Sequence, residues 1–233
     1  MKKDVIIACD FASEAAVKEF LAQFPEEEKP FVKIGMELFY AAGPGIVSDL
    51  KKDGYKIFLD LKLHDIPNTV KKAMSVISGI GADMVNVHAG GGRAMMEAAL
   101  EGLTRPDGTR PLLIAVTQLT STSEDMLHNE LLIGPSMEDT ISKYALNAKE
   151  AGLDGVVCSP REAASVKAVC GKDFLTVTPG IRFAEAAKDD QVRITTPSQA
   201  RELGSDFIVV GRPITASEDP VSSYHRCLKD FCR

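Results

Sequence analysis

The chain has 233 residues, a formal charge of −6 and 45% hydrophobic residues, with a mean hydropathy of −0.02. That is enough apolar material for the core of one large domain covering residues 1–233, and too little for membrane spans. The acidic balance excludes an overall basic face of the kind nucleic acids and anionic membranes require, so an anionic ligand would need cations gathered locally. Cys9, Cys158, Cys170, Cys227 and Cys232 are odd in number and include no close CxxC pair, which argues against both a disulfide framework and a zinc site. The opening "MKKDVIIACD" has only the short apolar run Val5 to Cys9 before Asp10, too short for a signal-peptide core. A soluble protein of a reducing cytoplasm is expected.

Eight short β-like runs follow in chain order: "VIIACD", "FVKIGM", "KIFLDLK", "MVNVH", "LLIAVTQL", "GVVCS", "FLTVTPG" and "FIVVG". Segments with helical apolar spacing separate most of them. In "MEDTISKYALNAKEAG", Ile141, Ala145 and Ala148 recur near one face; Ser136 stands where an N-cap belongs, and Gly152 can end the helix. This alternation in a chain of this length predicts the α/β class and a closed parallel (β/α)8 TIM barrel, with an open doubly wound sheet as the alternative. No linker, repeat or low-complexity tract suggests a second domain.

Period two within the strands assigns the faces. In "KIFLDLKL", Ile57, Leu59, Leu61 and Leu63 share one face, to be covered by helices, while Phe58, Asp60 and Lys62 share the other. In a barrel that other face points inward. The same reading puts Val32, Ile34 and Met36 outward with Lys33 inward, and Val5, Ile7 and Cys9 outward with Asp10 inward. Three consecutive strands thus aim charges into one lumen, near the C-terminal strand ends where barrels of this type place their active sites. Structural ion pairs are the plain alternative, but burying a lysine among carboxylates is costly, and such clusters often mark sites. Opposite charges around Lys62 favour its ammonium form, suiting it to donate a proton.

The run "DLKLHDIPNTV" closely resembles the signature of the orotidine 5'-phosphate decarboxylase family. Asp10, Lys33, "VTQLTS", "PGIR" and "VVGRPI" follow at the ends of the expected strands or within them, so the likeness spans the chain with no departure at the matched positions. The resemblance implies conversion of orotidine 5'-phosphate to uridine 5'-phosphate and carbon dioxide, the last step of pyrimidine nucleotide synthesis, with no cofactor and no metal. It assigns Lys62 as proton donor to pyrimidine C6 and Asp60 as the carboxylate beside the departing one. It brings Asp65 from the other subunit of a homodimer, with Thr69 crossing the same interface. Asp10 and Lys33 would hold ribose hydroxyls, Lys33 also joining the charge network, and Thr120 would contact the base or ribose region. Gln191 would reach the phosphate, Arg182 would support the nucleotide from the base of a lid, and Pro179 would border the pyrimidine.

"VVGRPI" also makes chemical sense alone as a phosphate site, because Gly211 permits close backbone approach and Arg212 offers a fork of donors. The long polar interval "PGIRFAEAAKDDQVRITTP" is a candidate lid, with a plain surface loop as the alternative. His64 and His88 invite a metal reading that no helpfully spaced further ligands support. "HAGGGR" lacks the ending of a Walker sequence and reads as a glycine-rich turn before a helix. Cys9 reads as a packing residue under a helix. The competing functions are a magnesium-dependent sugar-phosphate relative, such as 3-keto-L-gulonate 6-phosphate decarboxylase or hexulose-phosphate synthase, and a catalytically silent phosphate binder. "HDIPNT" with the "PGIR" and "GRPI" pair favours the pyrimidine enzyme over the first, and the intact charge set argues against the second.

Overall fold

The computed structural model describes residues 3–185 and 195–233. Its strands are β1 (Asp4–Ala8), β2 (Phe31–Gly35), β3 (Lys56–Leu63), β4 (Met84–His88), β5 (Leu112–Val116), β6 (Gly155–Val157), β7 (Leu175–Thr178) and β8 (Phe207–Val210). Each pairs in parallel with the next and β8 returns to β1, closing the barrel. The open sheet is therefore excluded.

The alternation along each strand produces two separate apolar layers. Val5, Ile7, Val32, Ile34, Ile57 and Leu59 belong to the layer between strands and helices, while Ile6, Phe31, Phe58, Met84 and Ile114 fill the barrel. Phe31 and Phe207 meet edge to face there, 6.2 Å apart. This packing keeps water out of the lumen, leaving polar side chains to the rim above it. The helix Met137–Glu150 buries Ile141, Ala145 and Ala148, and the Ser136 hydroxyl accepts the Asp139 N–H. Its spacing and its cap match the sequence expectation. Among the described residues, no helix is long and apolar enough to cross a membrane.

Two strand ends differ from expectation. β2 stops at Gly35, so Met36 opens the helix Met36–Ala42 and is 45% exposed instead of packing outward as a strand residue. Asp10 stands two residues beyond β1 and reaches the rim from a loop.

At the opposite, N-terminal face the chain uses one local device three times. Gly81-Ala82-Asp83, Gly152-Leu153-Asp154 and Gly204-Ser205-Asp206 lead into β4, β6 and β8, each with its glycine at positive φ. The aspartates accept the N–H groups of Ile57 (2.8 Å), Leu113 (2.7 Å) and Thr176 (2.8 Å) at the starts of the preceding strands. Each also pairs with a cation, Lys51, Arg110 or Lys167. The recurrence is three residues long, too short to stand out as a sequence repeat.

Candidate active site

The site begins with an irregularity in β3. Leu59 pairs with Val85, but the next pair is Leu63 with Val87, so β3 spends four residues where β4 spends two. The surplus is even, which keeps Leu61 and Leu63 on the helix side, where both pack against the outer core. Lys62 absorbs the bend at φ +54°, a left-handed conformation costing a residue with a side chain about 1–2 kcal/mol. Strain of this kind persists only where the surroundings hold it.

Four charges alternate along the rim. Lys33 Nζ lies 2.8 Å from Asp10 Oδ1 and 3.4 Å from Asp60 Oδ2, and Lys62 Nζ lies 2.8 Å from Asp60 Oδ1. Asp60 and Lys33 are each 8% exposed. Burial pushes the Asp60 carboxyl up, but Lys33, Lys62 and the Asn86 amide outweigh it and hold the group below the ordinary aspartate value. For Lys33, burial acts downward and is outweighed by Asp60 and Asp10, which raise it. The two inner members are thus kept charged by their neighbours despite desolvation.

Among the described residues, neither Asp65 nor Thr69 bonds to this network. Both are exposed; the Asp65 carboxylate accepts the Ile66 N–H at 2.6 Å, and Thr69 lies in the first turn of the helix Pro67–Ile77. Around the rim, Thr120 and Pro179 line a 540 Å³ cavity with Gln118, Ser159, Arg161 and Thr195. That cavity covers the β5 to β7 sector and does not include Asp60 or Lys62 in its lining. Arg212 acts on Arg182: burial, then the like charge of Arg212, lowers the Arg182 guanidinium below its ordinary value. Neither forms an ion pair among the described residues, although Arg182 donates to the Ile181 carbonyl at 2.8 Å. Two such guanidiniums near one another suit a doubly charged anion. Gly211 precedes the short helix Arg212–Thr215, and a Cβ there would make only ordinary contact with Ala8, at 3.6 Å. Gln191, with the rest of residues 186–194 of the candidate lid, lies outside the described residues.

The remaining candidates take structural places. Ala89–Gly91 forms one 3-10 turn leading into the helix Gly92–Leu103, as expected of "HAGGGR". The rings of His64 and His88 lie 5.6 Å apart. Burial, then His64 and Lys62, lowers His88 below the usual histidine value. Among the described residues, no group of three or more His, Cys, Asp or Glu side chains could hold a metal. Cys9 is fully buried, its thiol pushed up to about 12 by burial.

Residues 3–227 match the family model described as "Orotidine 5'-phosphate decarboxylase / HUMPS family". The chain belongs to that family. It is 56% identical to the orotidine 5'-phosphate decarboxylase of Geobacillus sp. (strain WCH70), over 99% of this chain and 98% of the relative. To the Bacillus caldolyticus protein of the same name it is 58% identical, over 97% and 93%. A crystal structure of orotidine 5'-phosphate decarboxylase from Lactobacillus acidophilus superposes with a TM-score of 0.89 at 43% identity, covering 99% of this chain and all (100%) of that one.

Within this decarboxylase-family rim, sequence reasoning missed two residues. Asn86, 1% exposed, donates its amide to Asp60 Oδ1 at 2.6 Å and accepts the Lys62 N–H at 2.8 Å. The available signal was a polar residue in the inward phase of "MVNVH". Gly35 lies under the Asp10–Lys33 pair, and a Cβ there would come within 2.9 Å of both Asp10 Oδ1 and Lys33 Nζ. Its signal was its place two residues after Lys33, on the same face.

Proposed function

We propose that the chain decarboxylates orotidine 5'-phosphate to uridine 5'-phosphate and carbon dioxide, the last step of pyrimidine nucleotide synthesis, using its own side chains with no cofactor or metal. The observation that carries this reading is Asp60, buried at the rim and held ionised between Lys33 and Lys62. A substrate carboxylate beside Asp60 is repelled in the ground state. When the bond from C6 to that carboxylate breaks, the electron pair stays on C6, and Lys62 offsets the developing charge. Lys62 Nζ then gives C6 a proton and regains one from solvent, so the reaction consumes one proton and releases carbon dioxide.

The other residues take binding roles in this reading. Arg212, Arg182, Gln191 and the backbone at Gly211 hold the phosphate end, Asp10 and Lys33 the ribose hydroxyls, and Thr120 and Pro179 the base. The enzyme works as a homodimer in which Asp65 and Thr69 of one protomer complete the site of the other. Their exposure beside Ile66, which is 66% exposed, leaves them open to a second protomer and supports that role. Cys9, Cys158, Cys170 and Cys227, all buried free thiols, fit a cytoplasmic enzyme.

The test is to follow loss of the orotate chromophore with purified protein. Turnover should survive dialysis against a chelator, and Lys62→Ala should abolish it while leaving the protein folded. A requirement for magnesium would move the assignment to the sugar-phosphate relatives. Wild-type-like turnover by Lys62→Ala would remove Lys62 as proton donor.

A further inference from the structure

Asn86 reaches with one side chain both the backbone and the carboxylate partner of Lys62. It projects from β4 between Val85 and Val87, the two residues that pair with Leu59 and Leu63 on either side of the surplus segment of β3. A bulge leaves a strand N–H without its ladder acceptor. Here the Lys62 N–H finds Asn86 Oδ1 at 2.8 Å. The other half of the same amide donates to Asp60 Oδ1 at 2.6 Å, the oxygen that also meets Lys62 Nζ at 2.8 Å. The amide orientation follows from its partners, since an N–H requires an oxygen and an ionised carboxylate requires a donor.

Resting on the decarboxylase reading above, we infer that Asn86 is a positioning residue for the reaction: it holds Lys62 in its left-handed conformation and Asp60 at a fixed angle, so that ammonium and carboxylate meet the substrate together. Aspartate at this position would keep an acceptor for the Lys62 N–H but place an oxygen against Asp60 Oδ1. That pair must share a proton to restore the lost hydrogen bond. Alanine would release both groups. Asn86 is buried below the rim and, in this reading, does not touch the nucleotide, so ligand affinity should be largely spared.

The experiment compares Asn86→Ala and Asn86→Asp with wild type in three readouts. Asn86→Ala should lower kcat by about 100-fold, the scale of a misplaced reacting group, while the Kd for uridine 5'-phosphate changes by less than about threefold. Asn86→Asp should recover activity relative to wild type as pH is lowered, because only the protonated pair imitates the amide. The backbone amide of Lys62 should exchange slowly with solvent in wild type and in Asn86→Asp, and rapidly in Asn86→Ala. A folded Asn86→Ala enzyme with wild-type kcat would overturn the proposal, as would parallel losses in kcat and product affinity. If Asn86→Ala does not fold, a flat pH ratio between Asn86→Asp and wild type does the same. Inactive wild-type protein would instead overturn the decarboxylase reading, and the Lys62 amide exchange would still decide whether Asn86 holds that bend.

Discussion

Asp60 serves two ammonium groups and one amide with a single buried carboxylate, so its charge matters to stability as well as to chemistry. Asp60→Asn would leave Lys62 without its carboxylate and Lys33 with Asp10 alone, a loss on the order of 3 kcal/mol for a broken buried pair. The pH dependence has a definite sign. A carboxyl whose folded pKa is depressed contributes stability present above its unfolded value, 3.8, and loses it as pH falls through the lower folded value. Urea titrations should therefore show the gap between wild type and Asp60→Asn at its widest near neutral pH and narrowing below about pH 4. A gap constant with pH would show that the carboxylate charge is not what Lys33 and Lys62 depend on. The inward phase of two strands made Asp60, Lys62 and Lys33 legible from sequence, because charges there are conspicuous. Asn86 and Gly35 escaped because an amide and an absent side chain look ordinary until the charges they serve have positions.

The elements were legible where a period governs them. Alternation located all eight strands, and 3.6-residue spacing with a Ser136 cap located the helix Met137–Glu150. The β3 surplus and the π-helical turn Met126–Glu130 were not legible, since neither has a period and both depend on neighbours distant in sequence. The same holds for the glycine-x-aspartate device, whose aspartates act on strands more than twenty-five residues earlier. Asp154 illustrates what it does: it accepts the Leu113 N–H at 2.7 Å and pairs with Arg110, tying the start of β5 to the start of β6. Asp154→Ala would strand that amide and should cost about 1–3 kcal/mol in urea unfolding. Because the device sits at the N-terminal face, remote from the rim chemistry, kcat of the folded variant should equal that of wild type. Unchanged stability, or a fall in kcat without one in stability, would sink this account.

At the scale of the whole molecule, one barrel holds the Asp60–Lys62 pair within its own rim, and the homodimer proposed above would add Asp65 and Thr69 from a second chain. Asp60 and Lys62 pair within the rim, while Asp65 and Thr69 are exposed and lie on either side of Ile66 in sequence. Tyr40, at 74%, and Val76, at 71%, are exposed large apolar residues elsewhere on the chain, and contacts between protomers would give such residues cover. If Asp65 acts across a two-fold interface, chains damaged at different positions should repair one another. Lys62→Ala and Asp65→Asn chains, each inactive alone, are mixed in equal amounts and allowed to exchange. In every mixed dimer one site then unites both lesions, and the other unites the intact Lys62 of the second chain with the intact Asp65 of the first. Random exchange makes about half of the dimers mixed with one good site in each, so activity should return to roughly a quarter of wild type. If Asp65 served its own chain, every site would carry one lesion and nothing would return. Subunit exchange verified by mass, with no recovery of turnover, would therefore confine each site to one protomer, and would leave the charge network and its chemistry as they stand.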